Sequence, residues 1–250
     1  MPTSSNNPVA LITGAAKRIG AEIAKALHQK GFNVVIHYLN SATEAQALCD
    51  ALNQDRADSA IAIAGNIVEV EECKTIAQLS IQKWQRLDLL VNNASSFYPT
   101  PIVEATEQQW EDLMGTNLKA SFFLTKYLSD ALAKNSGNII NIIDIHADRP
   151  LKAHPIYSVA KAGHAMLTKS LAKELAPNIR VNGVAPGNIL WPTAENPILE
   201  DEKKSILERI PLRRQGDVSD ITQAVIFLAC HAPYITGQII AVDGGRSLYS

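Results

Sequence analysis

Short, continuously apolar runs alternate along this chain with longer segments in which apolar residues recur every three or four positions. The first run, Val9 to Thr13, ends at Gly14 and reads as a buried strand. From Arg18 to Lys30, Ile19, Ile23, Ala24 and Leu27 share one helical face, and Gly31 follows as a stop signal. Asn33 to Tyr38 is β-branched and apolar, a second strand, and Ser41 is placed to cap a helix from Ala42 to about Asn53. Ser59 to Ala64, Leu87 to Asn92 and Gly137 to Asp144 read as the third, fourth and fifth strands. Helical patterns separate them, over Val68 to Trp84 and from near Glu107, with a break at Gly115, to about Asn135. Tyr157 to Leu175 is helical up to Pro177, and Ile179 to Ala185 is a sixth strand. A proline-bearing loop, Pro186 to Pro197, leads into shorter helices over Glu202 to Arg209 and Ser219 to Ala229, and Ile239 to Asp243 closes as a seventh strand.

Strands that are apolar throughout, each followed by a helix, predict an α/β protein with a doubly wound parallel sheet covered on both faces. Crossovers in such a sheet are right-handed, and ligands bind beyond the carboxyl ends of the strands, where strand order reverses. No linker divides the chain, so a single domain over 1–250 is expected, with a flexible N-terminus at 1–7 and a substrate-covering segment at 186–210.

Composition narrows the function. With 46% hydrophobic and 19% charged residues and a net charge of -2, the chain has no electrostatic footprint for nucleic acid or an anionic membrane. Cys49, Cys73 and Cys230 are scattered and lack metal spacing, which argues for free thiols in a reducing compartment. Neither a signal peptide nor an apolar run of the roughly 18 residues of a membrane span is evident, so a cytoplasmic protein is the expectation. His37, His146 and His164 also lack metal spacing, and no metal site is expected.

The candidate chemistry lies just after strands. Gly14 and Gly20 bracket a turn into a helix whose free N–H groups and dipole suit a diphosphate. The second strand ends His37-Tyr38-Leu39-Asn40-Ser41, without the acid that would select a free ribose. Lys17 and Arg18 could face a 2′-phosphate there, with Asn40 and Ser41 donating hydrogen bonds, which favours NADPH over NADH. Tyr157 and Lys161 lie four residues apart, on one helical face. An ammonium group beside a phenol favours the phenolate and lowers its pKa, which makes the pair a candidate acid catalyst. Asp144, thirteen positions earlier, can accept from a substrate rich in N–H groups, and Phe97 offers an aromatic face to a flat ring.

The whole chain resembles the short-chain dehydrogenases/reductases. The resemblance rests on Thr13-Gly14 to Gly20, Asn92-Asn93-Ala94, Asn117, Tyr157 to Lys161, Pro186-Gly187 and Asp243-Gly244-Gly245, in that order. Arg18 within the glycine turn, Asp144 in place of the usual serine, and the run Asn93 to Pro101 are similar to the pteridine reductase subgroup. The resemblance implies a Rossmann-type fold of about seven parallel strands and hydride transfer from NADPH to a dihydropterin, with dihydrofolate as a further substrate. It implies that Asp144, Tyr157, Lys161 and Asn117 are catalytic, with Asn117 ordering a water-linked proton path near Lys161. It lays the cofactor along Gly14, Lys17, Arg18, Ile19, Gly20, His37, Tyr38, Asn40, Ser41, Asn66 and Ile67. Asn93, Ala94, Ser95, Tyr157, Lys161, Pro186, Gly187 and Ile189 complete that set. Arg18, Ser95, Phe97, Asp144, Tyr157 and Trp191 would meet the pterin. The tail Gly244 to Ser250 is similar to segments buried between subunits, which implies a homotetramer. The alternatives are reduction of a simple carbonyl, such as a 3-oxoacyl thioester, and a silent nucleotide-sensing protein. Retention of both Tyr157 and Lys161 speaks against the latter.

Overall fold

The computed structural model describes residues 7–190 and 200–248. Its strands are β1 (Val9–Ile12), β2 (Asn33–Tyr38), β3 (Ala60–Ala64), β4 (Leu89–Asn92), β5 (Asn138–Ile142), β6 (Arg180–Pro186) and β7 (Ile239–Val242). They form one sheet in the order β3-β2-β1-β4-β5-β6-β7, and every neighbouring pair is parallel. The helices are α1 (Arg18–Gln29), α2 (Ala42–Asp55), α3 (Val70–Gln82), α4 (Glu107–Met114), α5 (Ala120–Lys134), α6 (Pro155–Leu175), α7 (Glu200–Glu208) and α8 (Val218–Ile226).

Successive strand residues point to opposite faces, and both faces are buried. Ile12, Ile36, Val91 and Ile140 pack with Ile23, Leu27, Leu48, Ile221 and Val225 of α1, α2 and α8. Leu11, Val35, Leu90 and Ile139 pack on the other side with Ile76, Leu124, Leu128 and Leu171 of α3, α5 and α6. Two cores on one sheet explain why the strands read as unbroken apolar runs. Among the described residues no helix is long and apolar enough to cross a membrane.

The ends of several elements depart from the sequence reading for identifiable reasons. Helix α6 starts at Pro155, two residues before Tyr157, because proline suits the first helical position, where an N–H has no intrahelical partner. Ser41 occupies the N-cap position of α2, but its side chain makes no capping bond. Its backbone, at φ −99 and ψ 55, is not extended as a capping residue requires, and only its carbonyl accepts, from Ala45 N at 3.0 Å. The break expected at Gly115 is a π-turn over Gly115–Lys119 that joins α4 to α5 without ending the helix. A Cβ at Gly115 would stand 2.8 Å from Val68 Cγ1, so any larger residue there would force the Val68 side chain to shift.

Strand order reverses at β1, which pairs with β2 on one side and β4 on the other. The connections leaving β1 and β4 run to opposite faces and open a crevice between them. Thr13 ties its two lips together. The Thr13 hydroxyl accepts from the backbone N–H groups of Asn93 at 2.9 Å and Ala94 at 3.0 Å. In return, Asn93 Nδ2 donates to the carbonyls of Thr13 at 2.8 Å and Gly14 at 3.1 Å. Thr13→Val keeps the shape and removes the acceptor. It should lower the unfolding free energy by about 1–3 kcal/mol for each amide left unpaired, read from urea denaturation midpoints.

Candidate active site

The crevice begins at the turn after β1. Gly14 has φ +60, and its N–H donates to His37 Nδ1 at 3.2 Å. His37 Nε2 lies 3.0 Å from the Gly65 carbonyl. An N–H on one side and a carbonyl on the other fix the tautomer: Nδ1 accepts and Nε2 carries the proton. Burial lowers the pKa of His37, which keeps the ring neutral. His37 thus braces the ends of β1, β2 and β3.

Helix α1 then starts behind Lys17, which makes no side-chain cap, and its first turn carries no acid. The N–H groups of that turn are left for a ligand, and the dipole favours an anion. Arg18 has φ 55, the left-handed region, which costs a residue with a Cβ about 1–2 kcal/mol. Glycine would hold this conformation freely, whereas arginine places a guanidinium on the wall of the crevice. A Cβ at Gly20 would stand 2.5 Å from the Gly14 carbonyl and 2.6 Å from Asn93 Nδ2, so the helix can approach the turn only with glycine.

From this turn a cavity of about 1180 Å³ runs along the carboxyl ends of the strands. Its wall contains Gly14, Lys17, Arg18, Ile19, Gly20 and His37 at one end and Asn66, Ile67, Asn93, Ala94 and Ser95 in the middle. Phe97, Asp144, Tyr157, Lys161, Pro186, Gly187 and Ile189 line the rest, so most of the residues singled out in the sequence converge. Tyr38, Asn40 and Ser41 do not line it, whereas Leu39 between them does. Lys17 also pairs with Glu44 at 2.7 Å. Asn66 Oδ1 accepts from Val68 N at 3.1 Å, closing a local turn. Trp191 lies outside the described residues. The uncapped helix start, the glycine approach and the cation at Arg18 fit the diphosphate of a dinucleotide.

The reactive corner lies where β5 ends. Asp144 Oδ1 accepts from His146 N at 2.8 Å, which orients the carboxylate. Its Oδ2 accepts from Tyr157 Oη at 2.7 Å. Lys161 is 2% exposed, donates to the Ile142 carbonyl at 3.1 Å, and stands 5.7 Å from the centroid of the Tyr157 ring. Burial, then Asp144, pushes the Tyr157 phenol well above its ordinary pKa. Burial lowers Lys161 to about 8, against the pull of Asp144 upward. The expectation that Lys161 lowers the phenol pKa is therefore corrected. The carboxylate touches the hydroxyl directly, and the ammonium reaches only the ring. The arrangement holds a neutral, oriented O–H beside an acceptor, a proton donor rather than a standing phenolate.

Phe97 is half exposed, with one face stacked on His154 at 4.7 Å and its ring edge-on to Tyr157 at 4.9 Å. Asn117 does not line the cavity. It is buried in the π-turn, where its Nδ2 donates to the carbonyls of Ser96 at 3.0 Å and Leu113 at 2.9 Å. It thereby anchors the loop that carries Ser95 and Phe97. Sequence reasoning missed His154, Leu39 and Gly65 on the cavity wall and the clamp made by Thr13. A signal existed for His154, which directly precedes the proline that opens α6. Among the described residues no group of acidic, histidine or cysteine side chains could hold a metal ion.

Comparison with known proteins agrees with this geometry. A family model described as enoyl-(acyl carrier protein) reductase matches residues 14–247. Pteridine reductase 1 of Leishmania tarentolae is 37% identical, over 99% of this chain and 99% of its own. A 3-oxoacyl-(acyl-carrier-protein) reductase of Staphylococcus epidermidis is 38% identical over 96% and 98%, and one of Synechocystis is 36% identical over 99% and 100%. A parallel seven-stranded sheet, a glycine turn at its switch point, the Tyr157/Lys161 pair beyond β5 and a match of this extent together establish that the chain belongs to the short-chain dehydrogenase/reductase family.

Proposed function

We propose that this protein is an NADPH-dependent pteridine reductase that converts a dihydropterin to its tetrahydro form. The observation that carries the reading is the 2.7 Å hydrogen bond from Tyr157 to Asp144, which puts a carboxylate where a carbonyl reductase needs only a neutral hydroxyl. A pterin edge rich in N–H groups meets an acceptor there, and a ketone oxygen meets repulsion. The half-exposed Phe97 ring beside Tyr157 supports a flat substrate. The Leishmania relative supports the same substrate class.

NADPH, when bound, supplies a hydride. The chain's own residues do the rest. Uncapped α1 and Arg18 hold the phosphates, and Ser95, Phe97 and Asp144 orient the pterin. Reducing a C=N bond adds a hydride to carbon and a proton to nitrogen. Tyr157 Oη, directed by Asp144, gives that proton, and the buried Lys161 ammonium restores it. The reading extends to one domain over 1–250, with 186–210 covering the substrate, in a cytoplasmic homotetramer. A second reading, reduction of a 3-oxoacyl thioester, is supported by the relatives at 36–38% identity that bear that name.

A turnover panel separates the two. NADPH and NADH are each offered with several dihydropterins, dihydrofolate and one 3-oxoacyl thioester. Pterin-dependent oxidation of NADPH is expected, and Tyr157→Phe should lower kcat by about 10²–10⁴-fold. Asp144→Ser should depress pterin turnover far more than any ketone reduction. A parent enzyme that reduces the thioester and leaves every pterin untouched would sink the first reading.

The pH dependence follows from Lys161. Because its pKa is lowered to about 8, kcat should decline as the pH rises through about 8 and the ammonium is lost. Stability moves the other way. The folded pKa lies below the ordinary 10.5, so the unfolded chain binds more protons between the two values. The contribution of Lys161 to stability therefore rises with pH across that window. Denaturation at stepped pH should show Lys161→Met more stable than the parent at pH about 7, with the gap closing toward pH about 10.

A further inference from the structure

Phe97 stands between two aromatic side chains. His154 stacks on one face, with ring centroids 4.7 Å apart and planes within 10° of parallel. Tyr157 meets it edge-on at 4.9 Å and 78°. Phe97 is nonetheless 53% exposed, and all three residues line the cavity. The face away from His154 is therefore the one left for a ligand. A flat ring laid on that face would be parallel to Phe97 and nearly perpendicular to the Tyr157 ring. It would turn its edge, where a C=N nitrogen keeps its lone pair, toward the proton donor.

The backbone around this stack is fixed without the rings. The Ser96 carbonyl accepts from Asn117 Nδ2 at 3.0 Å, and the Tyr98 hydroxyl donates to Asp112 at 2.7 Å, so both neighbours of Phe97 are held. Thr100 N–H donates to the Ala153 carbonyl at 2.7 Å, which ties the loop of Phe97 to the loop of His154. His154 N–H donates to the Leu151 carbonyl at 3.1 Å, and the His154 carbonyl accepts from Ser158 N at 3.0 Å as α6 begins. The imidazole is tethered as well. Its Nδ1 donates to the Lys152 carbonyl at 2.9 Å, since a carbonyl can only accept. A phenyl ring has no polar atom with which to do the same, and an exposed one keeps its rotamer freedom until a ligand orders it. A stack that holds the ring beforehand removes that cost from binding.

We propose that His154 is a positioning residue for substrate selection: it backs Phe97, holds that ring in one rotamer with one face open, and so favours flat heteroaromatic substrates. The proposal rests on the pterin reading of the site. His154 acts on the substrate through Phe97. Without the backing ring, Phe97 would spread over other rotamers, and the apparent affinity for a flat substrate would fall by the fraction that stays competent.

Three variants separate the stack from the other bonds of His154. His154→Ala removes the ring and its donor. His154→Asn keeps a donor for the Lys152 carbonyl without the ring, and His154→Phe keeps the ring without the donor. KM for a dihydropterin should rise about fivefold in His154→Ala, the weight of one aromatic pair, and as much in His154→Asn. His154→Phe should stay close to the parent. KM for NADPH should hold in all three, which a general loosening of the fold would not allow. Asparagine is a favoured residue at a helix N-cap, the position His154 occupies, so His154→Asn carries the test if His154→Ala does not fold. Parental KM for the pterin in either variant, or a His154→Phe as poor as His154→Asn, overturns the proposal. A parent that neither reduces nor binds any pterin overturns the functional reading and the proposal with it, whereas a parent that reduces pterins with a KM indifferent to these changes overturns the proposal alone. A readout without substrate completes the test. In proton NMR the His154 ring protons should lie upfield, within the Phe97 ring current, and move downfield in Phe97→Leu. Shifts that stay unchanged in Phe97→Leu overturn the proposal as well.

Discussion

The reversal of strand order at β1 is the constraint on which the site depends. A parallel sheet must send its connections over one face or the other, and only where the direction changes do two neighbouring connections part. Here β1 and β4 are those neighbours. The gap would be a liability without a brace, because it exposes strand ends and helix starts together. Thr13 and Asn93 supply the brace with four hydrogen bonds across it. His37 supplies a second one, from Gly14 to Gly65. Both use side chains to satisfy backbone groups, so the crevice keeps its shape while α1 still presents free N–H groups.

At the other end of the cavity the chain buries charge on purpose. Lys161 is among the largest fully buried side chains, beside leucines and isoleucines of the core. A lone ammonium in that position would be expensive. The Ile142 carbonyl accepts from it, and Asp144 offsets part of the burial. The outcome is a lysine whose pKa sits close to physiological pH, next to a phenol held neutral. Neither property belongs to the residue types themselves. Both come from where β5 stops and where Pro155 lets α6 begin.

Much of this was legible in the sequence. Unbroken apolar runs announced a sheet buried on both sides, and the two-core packing of Leu11 and Ile12 bears that reading out. The i, i+4 spacing of Tyr157 and Lys161 placed them on one face, and Gly14 and Gly20 marked the turn. What stayed hidden depends on distance in space. Burial of the phenol comes first, and with it the carboxylate of Asp144, thirteen residues from Tyr157 in the chain yet touching its hydroxyl, reverses the direction of the phenol's shift. Lys17 carries a charge that suits a phosphate and lines the cavity, and its pairing with Glu44 of the next helix, far along the chain, had no local signal. The stack of His154 on Phe97 likewise joins two loops that no local pattern connects.

The π-turn at Gly115–Lys119 sets the phase between the two helices it joins. A π-turn holds one residue more than the α-turn it replaces, and each helical residue advances the phase by about 100°. Closing it to α geometry by losing one residue would rotate α4 by that angle against α5. Leu113, which now packs beside Ile156 and Tyr157, would swing off them. Asp112, which now accepts from the Tyr98 hydroxyl, would turn away from the loop that bears Phe97. The spacing between residues 112 and 121 is thus a ruler: a chain of the same fold that differs there by one residue would present a different surface to the same tyrosine and lysine.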